Sequence, residues 1–383
     1  MITPKRAAIV AVFLLTIIYL FTSSSPSDPP KTHKIKEKGH KIKNLAESES
    51  SASSTPKTTS VSDSPAPAEA PLQRPYPPPK VASSRKKEAQ RPLAEVFVKN
   101  VRDQLDYQFE YDRQSKFPAY IWQTWKNLPS SSDFPEDFRA KEASWTDLHP
   151  GFVHEVLNDQ NARSLIKLLY SSVPDVLEAY DALPKAVMKA DLFRYLILLA
   201  RGGIYSDIDT TALKSATDWL PSDIPRASVG LIIGIEADPD REDWQKWFSR
   251  RIQFCQWTIQ AKPGHPVLRD VVATIVEQTL ELKKTGGLKD AEKLQKGIIE
   301  FTGPAVWTDA IFKYLNNKKY FNLQEGSNIT WEAFTGLEAA KKVGDIVVLP
   351  ITSFSPGVQQ MGAKEPDDPM AFVHHEFEGV CRK

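Results

Sequence analysis

The sequence is poor in cysteine and has no excess of charge of either sign. Only Cys255 and Cys381 occur in 383 residues, and their wide separation leaves open whether they form a disulfide. Lysine and arginine total 49 against 48 aspartates and glutamates, for a net charge of +1. This balance argues against a general nucleic-acid-binding surface, because such surfaces carry an excess of positive charge. Internal repeats and a second long apolar run are also missing from the sequence.

The long apolar run that is present covers residues 7–22 and follows Lys5 and Arg6. At about 1.5 Å per helical residue it spans roughly 24 Å, slightly less than a hydrocarbon core of about 30 Å. A cleaved signal peptide and an uncleaved signal anchor both fit such a run. No clear Ala-x-Ala cleavage site follows it, so we favour a transmembrane signal anchor, with residues 1–6 as a cytoplasmic tail.

Residues 23–92 are rich in Ser, Thr, Pro and Lys, as in the stretches PAPAEAP and PYPPPK. Such a composition cannot bury enough apolar surface to fold, so we predict a disordered stem. An anchor, a stem and a globular part at 93–383 follow the order typical of type II membrane proteins, with the globular part in a lumen. The sequon Asn328-Ile-Thr agrees with that orientation and makes Asn328 a predicted N-glycosylation site.

From residue 93 onward, short apolar strands alternate with helices, which predicts an α/β domain with a mostly parallel sheet. Pro174 and Pro184 lie near the starts of two predicted helices, where proline is tolerated. The most apolar predicted helix is followed by Gly202-Gly203, and glycine commonly ends a helix. The predicted strands are 119–125, 152–159, 203–209, 229–237 and 345–350, and the predicted helices are 161–170, 172–180, 184–201 and 265–284.

The stretch ARGGIYSDID, residues 200–209, places two aspartates two positions apart. Alternate side chains of a strand share a face, so we predict that Tyr205, Asp207 and Asp209 lie together at its carboxyl end. Open α/β sheets bind ligands at that edge. Two close carboxylates repel each other unless a divalent cation offsets their charge, and such a cation also binds phosphate oxygens. The motif alone is weak, because two solvated acids at a turn give the same pattern.

The preceding helix carries Asp191 and Arg194, three residues apart and therefore on one face. Two interpretations stay open at this point. The two residues either form a structural ion pair, or they are a polar pair beside the metal that binds the hydroxyl groups of a sugar.

The string ADLFRYLILLARGGIYSDIDT, residues 190–210, resembles the signature of glycosyltransferase family 32, in its fungal mannosyltransferase branch. The resemblance extends over most of residues 119–379. It includes IWQTWK as a first-strand motif, WTIQAKPGHPVL as an acceptor-side segment, and the later blocks GPAVWTDAI and LPITSFSPG.

This resemblance implies a GT-A-type domain that binds a nucleotide sugar together with Mn²⁺ or another divalent cation. Asp207 and Asp209 match the D-x-D motif that meets the ribose and the metal of the family's donor. The positions that match donor-binding residues are Gln123 and Thr124 on the base and ribose side, Asp191 and Arg194 on the hexose, and Tyr205 beside the motif.

The sequence ends in FVHHEFEGVCRK, and relatives carry a terminal pattern of His, any residue, an aromatic residue, any residue, Gly and then Ser-Trp-Lys. His375, Phe377 and Gly379 fit this pattern, so His375 is a candidate third metal ligand through its neutral imidazole. Val380 and Cys381 depart from the family at the Ser-Trp positions. Ordinary tail histidines are the alternative interpretation.

The family implies a retaining enzyme that moves mannose from GDP-mannose to a mannose-containing glycan, with α-1,6 linkage on N-glycans in the Golgi. The implied partners are a glycoprotein acceptor, the Golgi membrane and a mannosyltransferase complex, and no nucleic acid. Transfer to inositol phosphoceramide and a non-catalytic lectin-like role are the alternatives. A hydrolase is disfavoured, because Asp207 and Asp209 are expected to point the same way rather than to flank a glycosidic bond. No catalytic base or covalent nucleophile can be named from the sequence.

Overall fold

The computed structural model describes residues 100–239, 241–289, 297–321 and 328–377. These residues belong to one compact unit of the chain. The predicted cytoplasmic tail 1–6, anchor 7–22 and stem 23–92 lie outside the described residues, as do Gly379 and Cys381. Within the described ranges, none of the helices combines the length and the hydropathy needed to cross a membrane.

A mixed sheet forms the centre of the domain. The strand bounds are β1 Tyr120–Thr124, β2 Val153–Leu157, β3 Gly203–Ser206, β4 Thr210–Ala212, β5 Leu231–Ala237, β6 Gln253–Phe254, β7 Thr258–Ala261, β8 Lys341–Val343, β9 Ile346–Leu349 and β10 Val373–His375. The strand order in this sheet is β2-β1-β3-β7-β5-β9-β8. Strands β1, β2 and β3 run parallel to one another, as do β5 and β9, while β7 and β8 pair antiparallel to their neighbours. The prediction of an α/β domain with a mostly parallel sheet is confirmed.

Helices cover the sheet and bury its apolar strands. The strand β5, LIIGIEA, is a nearly continuous apolar run, as expected for a strand that is covered on both faces. The helix bounds are α1 Val101–Gln108, α2 Glu136–Leu148, α3 Asp159–Leu169, α4 Pro174–Ala182, α5 Ala186–Arg201, α6 Pro266–Thr285, α7 Pro304–Leu315 and α8 Ile351–Phe354.

The connection between α5 and β3 fixes the position of the aspartate motif. Gly202 and Gly203 have φ angles of 63° and 94°, in the region that favours glycine. A Cβ atom at Gly203 would lie 2.6 Å from the main-chain oxygen of Tyr120, so a side chain would separate β3 from β1. The Trp122 indole also donates to the Gly202 oxygen at 2.9 Å. The buried helix α5 therefore passes directly into β3 against β1.

The prediction of one strand over residues 203–209 is wrong in its last part. Strand β3 ends at Ser206, and Ile208 and Asp209 form a turn that leads into β4. The Thr210 main-chain N–H and hydroxyl both donate to the Asp207 oxygen, at 3.2 Å and 2.5 Å, which closes the turn. The shared strand face predicted for Tyr205, Asp207 and Asp209 therefore does not extend beyond Ser206. The turn, not the pleat of a strand, orients the two aspartates.

Candidate metal and sugar-nucleotide site

Three predicted metal ligands meet at the turn between β3 and β4. One ligand atom each from Asp207, Asp209 and His375 lies within 4.8 Å of the others. The antiparallel pairing of β4 with β10 places His375 opposite Thr210, the residue after the motif. His375 Nε2 consequently lies 3.2 Å from Asp209 Oδ1. The fold thus brings together residues that are far apart in the sequence, and their role as ligands stays a prediction.

The chemistry of this cluster fits a divalent cation. Two carboxylates and one imidazole suit Mn²⁺ and similar ions, since oxygen ligands favour hard cations and imidazole binds many transition metals. His375 Nδ1 is shielded from solvent and has no hydrogen-bond partner among the described residues. Burial raises the pKa of Asp207, and the nearby charge of Asp209 raises it further. A bound cation would offset that unfavourable negative charge.

Aromatic rings hold the histidine in place. The Trp257 ring lies 4.8 Å from the His375 ring and the Phe377 ring lies 4.0 Å from it, measured between centroids. The main-chain N–H of Glu376 donates to the Asp209 oxygen at 3.1 Å. The end of β10 is therefore fixed both by ring packing and by a direct bond to the turn.

Arg194 lies between two carboxylates beside this cluster. Its Nη2 atom is 3.2 Å from Asp191 Oδ1 and 3.1 Å from Asp207 Oδ1. The side chains of Asp191 and Arg194 are only 2% and 5% exposed. Arg194 Nε is also buried, without a hydrogen-bond partner in the described part of the chain. The ion pair that was one of the two interpretations of the sequence is present, and the sugar-binding interpretation stays a prediction.

A polar network behind Asp191 was missed by the sequence analysis. Thr302 donates its hydroxyl proton to Asp191 Oδ2 at 2.8 Å, and Gln256 Nε2 donates to Oδ1 at 3.1 Å. The Tyr195 hydroxyl in turn donates to Gln256 Oε1 at 2.5 Å. Burial raises the pKa of Asp191 to about 6, although Arg194 and the Thr302 hydrogen bond lower it.

A sequence signal for these residues does exist. Tyr195 follows Arg194 inside the family signature, Gln256 directly precedes the WTIQAKPGHPVL segment, and Thr302 directly precedes the GPAVWTDAI block. Each network residue therefore adjoins a segment that had already been singled out.

The two residues predicted for the base and ribose side, Gln123 and Thr124, contact the motif directly or through Tyr205. The Tyr205 hydroxyl donates to Asp207 Oδ1 at 2.8 Å, and Thr124 Oγ1 lies 3.3 Å from that hydroxyl. Gln123 Nε2 donates to the main-chain oxygen of Asp207 at 3.2 Å. Gln123 is fully buried, so in this structure its side chain supports the turn through that hydrogen bond.

His154 on β2 is a further residue that the sequence did not indicate. Its Nε2 atom lies 2.9 Å from Gln123 Oε1, and its Nδ1 atom lies 2.9 Å from the Thr146 hydroxyl oxygen. Burial lowers the pKa of His154 to about 4, and His149 lowers it further. A neutral ring donates through Nε2–H and accepts at Nδ1. A hydrogen-bonded chain therefore runs from α2 through His154 and Gln123 to Asp207.

Asn328, the predicted glycosylation site, lies in a segment after α7. It is exposed, and the Asn316 side chain holds its neighbour Ile329 through the main chain at 2.7 Å and 2.9 Å. Cys255 is buried. Cys381 lies outside the described residues, so the question whether the two form a disulfide stays open.

Comparison with known proteins assigns a class to this arrangement. Residues 135–224 match the family described as a glycosyltransferase sugar-binding region containing a DXD motif. A fold with an α/β sheet and a D-x-D turn at its carboxyl edge, in a chain that matches this family, defines a glycosyltransferase.

Similarity to individual proteins narrows the class. An initiation-specific alpha-1,6-mannosyltransferase of Candida albicans is 47% identical over 291 residues, which cover 73% of this chain and 76% of that protein. Proteins of the same name from Schizosaccharomyces pombe and Saccharomyces cerevisiae are 45% and 34% identical. They are matched over 71% and 74% of this chain and over 66% and 82% of their own lengths. The chain belongs to glycosyltransferase family 32.

Proposed function

We propose that this protein is a retaining, metal-dependent mannosyltransferase with a GT-A-type fold. It moves mannose from GDP-mannose to a mannose-containing glycan and forms an α-1,6 linkage on N-glycans. One observation carries the proposal, namely that the Asp207, Asp209 and His375 ligand atoms converge beside the buried Asp191–Arg194 pair. The names of the relatives, initiation-specific alpha-1,6-mannosyltransferases, support the choice of sugar and linkage.

Each residue of the site has a defined task in this proposal. Asp207, Asp209 and His375 hold Mn²⁺ or another divalent cation. When bound, the cation supplies positive charge that stabilises the diphosphate leaving group. Arg194 forms a hydrogen bond to the sugar nucleotide through its unpaired Nε–H. Asp191 accepts hydrogen bonds from hydroxyl groups of the hexose.

The bond changes of the proposed reaction require no protein nucleophile. The bond between the mannose anomeric carbon and the phosphate oxygen breaks, and a bond to the acceptor hydroxyl oxygen forms on the same face. The departing phosphate takes the proton of that hydroxyl. The protein contributes mainly fixed charges and hydrogen bonds, which cost little reorganisation during the reaction. Tyr205 and Gln123, which hold Asp207, and Thr124, which contacts Tyr205, serve this preorganisation.

The proposed location is the Golgi membrane. Residues 7–22 would anchor a single-pass type II protein, residues 23–92 would form its stem, and residues 93–383 would lie in the lumen. The exposed position of the Asn328 side chain supports this orientation, because N-glycans are added on the lumenal side. Assembly into a mannosyltransferase complex remains a prediction from the family.

Replacement of one motif aspartate tests the metal-dependent transfer. Asp209→Asn keeps the size of the side chain and removes the charge that a cation requires. We expect transfer from GDP-mannose to fall by about 100-fold or more, because a metal-dependent transition state loses several kcal/mol of stabilisation. The measurement uses the detergent-solubilised full chain, GDP-mannose and a panel of α-mannosides, with linkage analysis of the product.

Asp218→Asn is the matched control, because Asp218 is exposed and lies on the 3-10 turn after β4. This variant should retain wild-type activity, and EDTA should abolish transfer in the wild type until Mn²⁺ is restored. Undiminished transfer by Asp209→Asn, or full activity of the wild type in excess EDTA, would refute the proposed function.

A further inference from the structure

Two buried side-chain oxygens on β5 and β6 lack hydrogen-bond donors. Glu236 Oε2 and Gln253 Oε1 are both shielded from solvent, and neither has a partner among the described residues. The two side chains are bonded to each other, since Gln253 hydrogen-bonds the Glu236 carboxyl. Buried oxygens without partners are rare and costly, so a pair of them calls for a ligand or another functional explanation.

The backbone places this pair at the ligand-binding edge of the sheet. Strands β1, β3 and β5 are oriented alike, so their carboxyl ends lie along one edge. Gln253 pairs with Ala237, and the register shifts at Glu236 in a β-bulge. Bulges redirect side chains and are common beside active sites. Glu236 therefore lies on the same edge as the D-x-D turn, two strands away across β7.

Electrostatic contacts link the pair to the site described above. Burial raises the pKa of Glu236 to about 8, although Gln253 and the charge of Arg194 lower it. Glu236 in turn contributes to the raised pKa of Tyr195, the residue bonded to Gln256. A carboxyl that is protonated near neutral pH donates one hydrogen bond and accepts others. The pair is therefore suited to a neutral ligand that carries hydroxyl groups, not to a cation or an anion.

The order of the strands along this edge indicates which sugar the Glu236–Gln253 pair binds. In the proposed function the nucleotide side lies at the end of β1, the metal and diphosphate at the end of β3, and the hexose beside Asp191 and Arg194. The next position along this edge is the end of β5. The group that lies beyond the transferred hexose is the acceptor.

We propose that Glu236 and Gln253 bind hydroxyl groups of the acceptor's terminal sugar. This inference rests on the proposed function and adds the acceptor side of the same site. The acceptor hydroxyls would supply the donors that Glu236 Oε2 and Gln253 Oε1 lack. The two residues are acceptor-binding residues and take no part in bond breaking.

Kinetics that separate donor from acceptor test the proposal. Glu236→Ala and Gln253→Ala should each raise the KM for an α-mannoside acceptor by about tenfold, as expected for the loss of one buried hydrogen bond. The KM for GDP-mannose and the slow hydrolysis of GDP-mannose by water should change less than about twofold, because the donor side is untouched. Glu236→Gln should have a smaller effect, since an amide can still donate and accept.

Stability separates a binding role from a structural one. A buried oxygen without a partner destabilises the folded state, so the double variant Glu236→Met/Gln253→Met, which replaces both polar partners by apolar side chains of similar volume, should have a melting temperature equal to or above that of the wild type. Glu242→Ala removes an exposed carboxyl from the loop that follows β5 and should leave both KM values unchanged. A lower melting temperature with an unchanged acceptor KM would assign the pair to folding and overturn the proposal. A raised KM for GDP-mannose would assign it to the donor and overturn it as well.

A binding measurement keeps this test independent of turnover. Saturation-transfer NMR with the full-length chain, GDP, Mn²⁺ and α-methyl mannoside requires no mannosyl transfer. We expect signal in the wild type and a loss of signal in Glu236→Ala. Equal signals in both proteins, or none in either, would overturn the acceptor assignment. A wild type that binds the mannoside but transfers no mannose would instead contradict the proposed function alone.

Discussion

At the scale of single residues, Asp207 is held on its side chain and on its main chain by different parts of the fold. Tyr205 and Arg194 contact its carboxylate, at 2.8 Å and 3.1 Å. Gln123 donates to its main-chain oxygen, and its own main-chain N–H donates to the Trp257 oxygen at 2.8 Å. A carboxylate fixed in this way does not have to reorganise when charge develops nearby.

His154 supports this arrangement through Gln123, and its burial gives a pH-dependent prediction. The ring has a pKa near 4 in the folded protein and an ordinary value near 6.5 when unfolded. Below pH 6.5 the unfolded chain binds a proton that the folded chain excludes, so stability falls as the pH decreases from 6.5 to 4. At pH 5 this effect should cost about 2 kcal/mol.

Comparison with His154→Gln isolates this effect. At pH 7.5 the variant should be less stable than the wild type by about 1 kcal/mol, because the ring's hydrogen bonds are lost. At pH 5 that difference should shrink or reverse, since glutamine takes up no proton. Urea unfolding of both proteins at the two pH values measures this difference in the free energy of unfolding. Parallel stability curves across this range would show that His154 is not excluded from protonation in the folded state.

At the scale of elements, the pairing of β4 with β10 brings His375 to the two aspartates and so builds the candidate metal site. Register alone decides which histidine reaches the turn, since neighbouring residues of a strand point to opposite faces. His375 is buried opposite Thr210, whereas His374 is half-buried and lies 3.1 Å from Glu376 Oε1. The two adjacent histidines therefore form a matched pair for an experiment.

We expect His375→Ala to raise the Mn²⁺ concentration for half-maximal activity by about tenfold, which corresponds to about 1.4 kcal/mol. His374→Ala should change it much less, because that ring does not face the aspartates. The shift of the melting temperature with added Mn²⁺ gives a second measurement that does not depend on activity. If wild type and His375→Ala respond equally to Mn²⁺, the two aspartates alone bind the metal.

The helix α5 and its junction with β3 could be predicted from sequence, because an apolar run and Gly202-Gly203 act on neighbouring residues. The turn at Asp207 could not, since the alternation of IYSDID fits a longer strand equally well. The antiparallel strand β7 and the pairing of Thr210 with His375 depend on contacts between distant segments. Candidate residues were therefore identified from a motif and a resemblance. Gln256 and Thr302 adjoin the segments that carry this resemblance, but their bonds to Asp191, like that of His154 to Gln123, required the folded arrangement.

At the scale of the whole molecule, the proposed anchor and stem would place the domain in a lumen, where its sequon could be glycosylated. Asn328-Ile-Thr is the only Asn-x-Ser/Thr sequon in the sequence. Its asparagine is exposed, and Asn316 holds the next residue through two main-chain hydrogen bonds. If residues 93–383 face the lumen, we therefore expect Asn328 to carry a glycan, which its exposed position accommodates.

The orientation is tested in sealed membrane vesicles from cells that express the full chain. Externally added protease should spare residues 93–383, because the membrane shields a lumenal domain, and detergent should abolish the protection. An endoglycosidase should shift the mobility of the wild type and of Thr330→Ser, which keeps the sequon. It should not shift Asn328→Gln or Thr330→Ala, in which the acceptor sequence is destroyed. Digestion of the domain in intact vesicles would contradict the type II orientation, and it would remove the glycan prediction with it, since both require the same lumenal exposure.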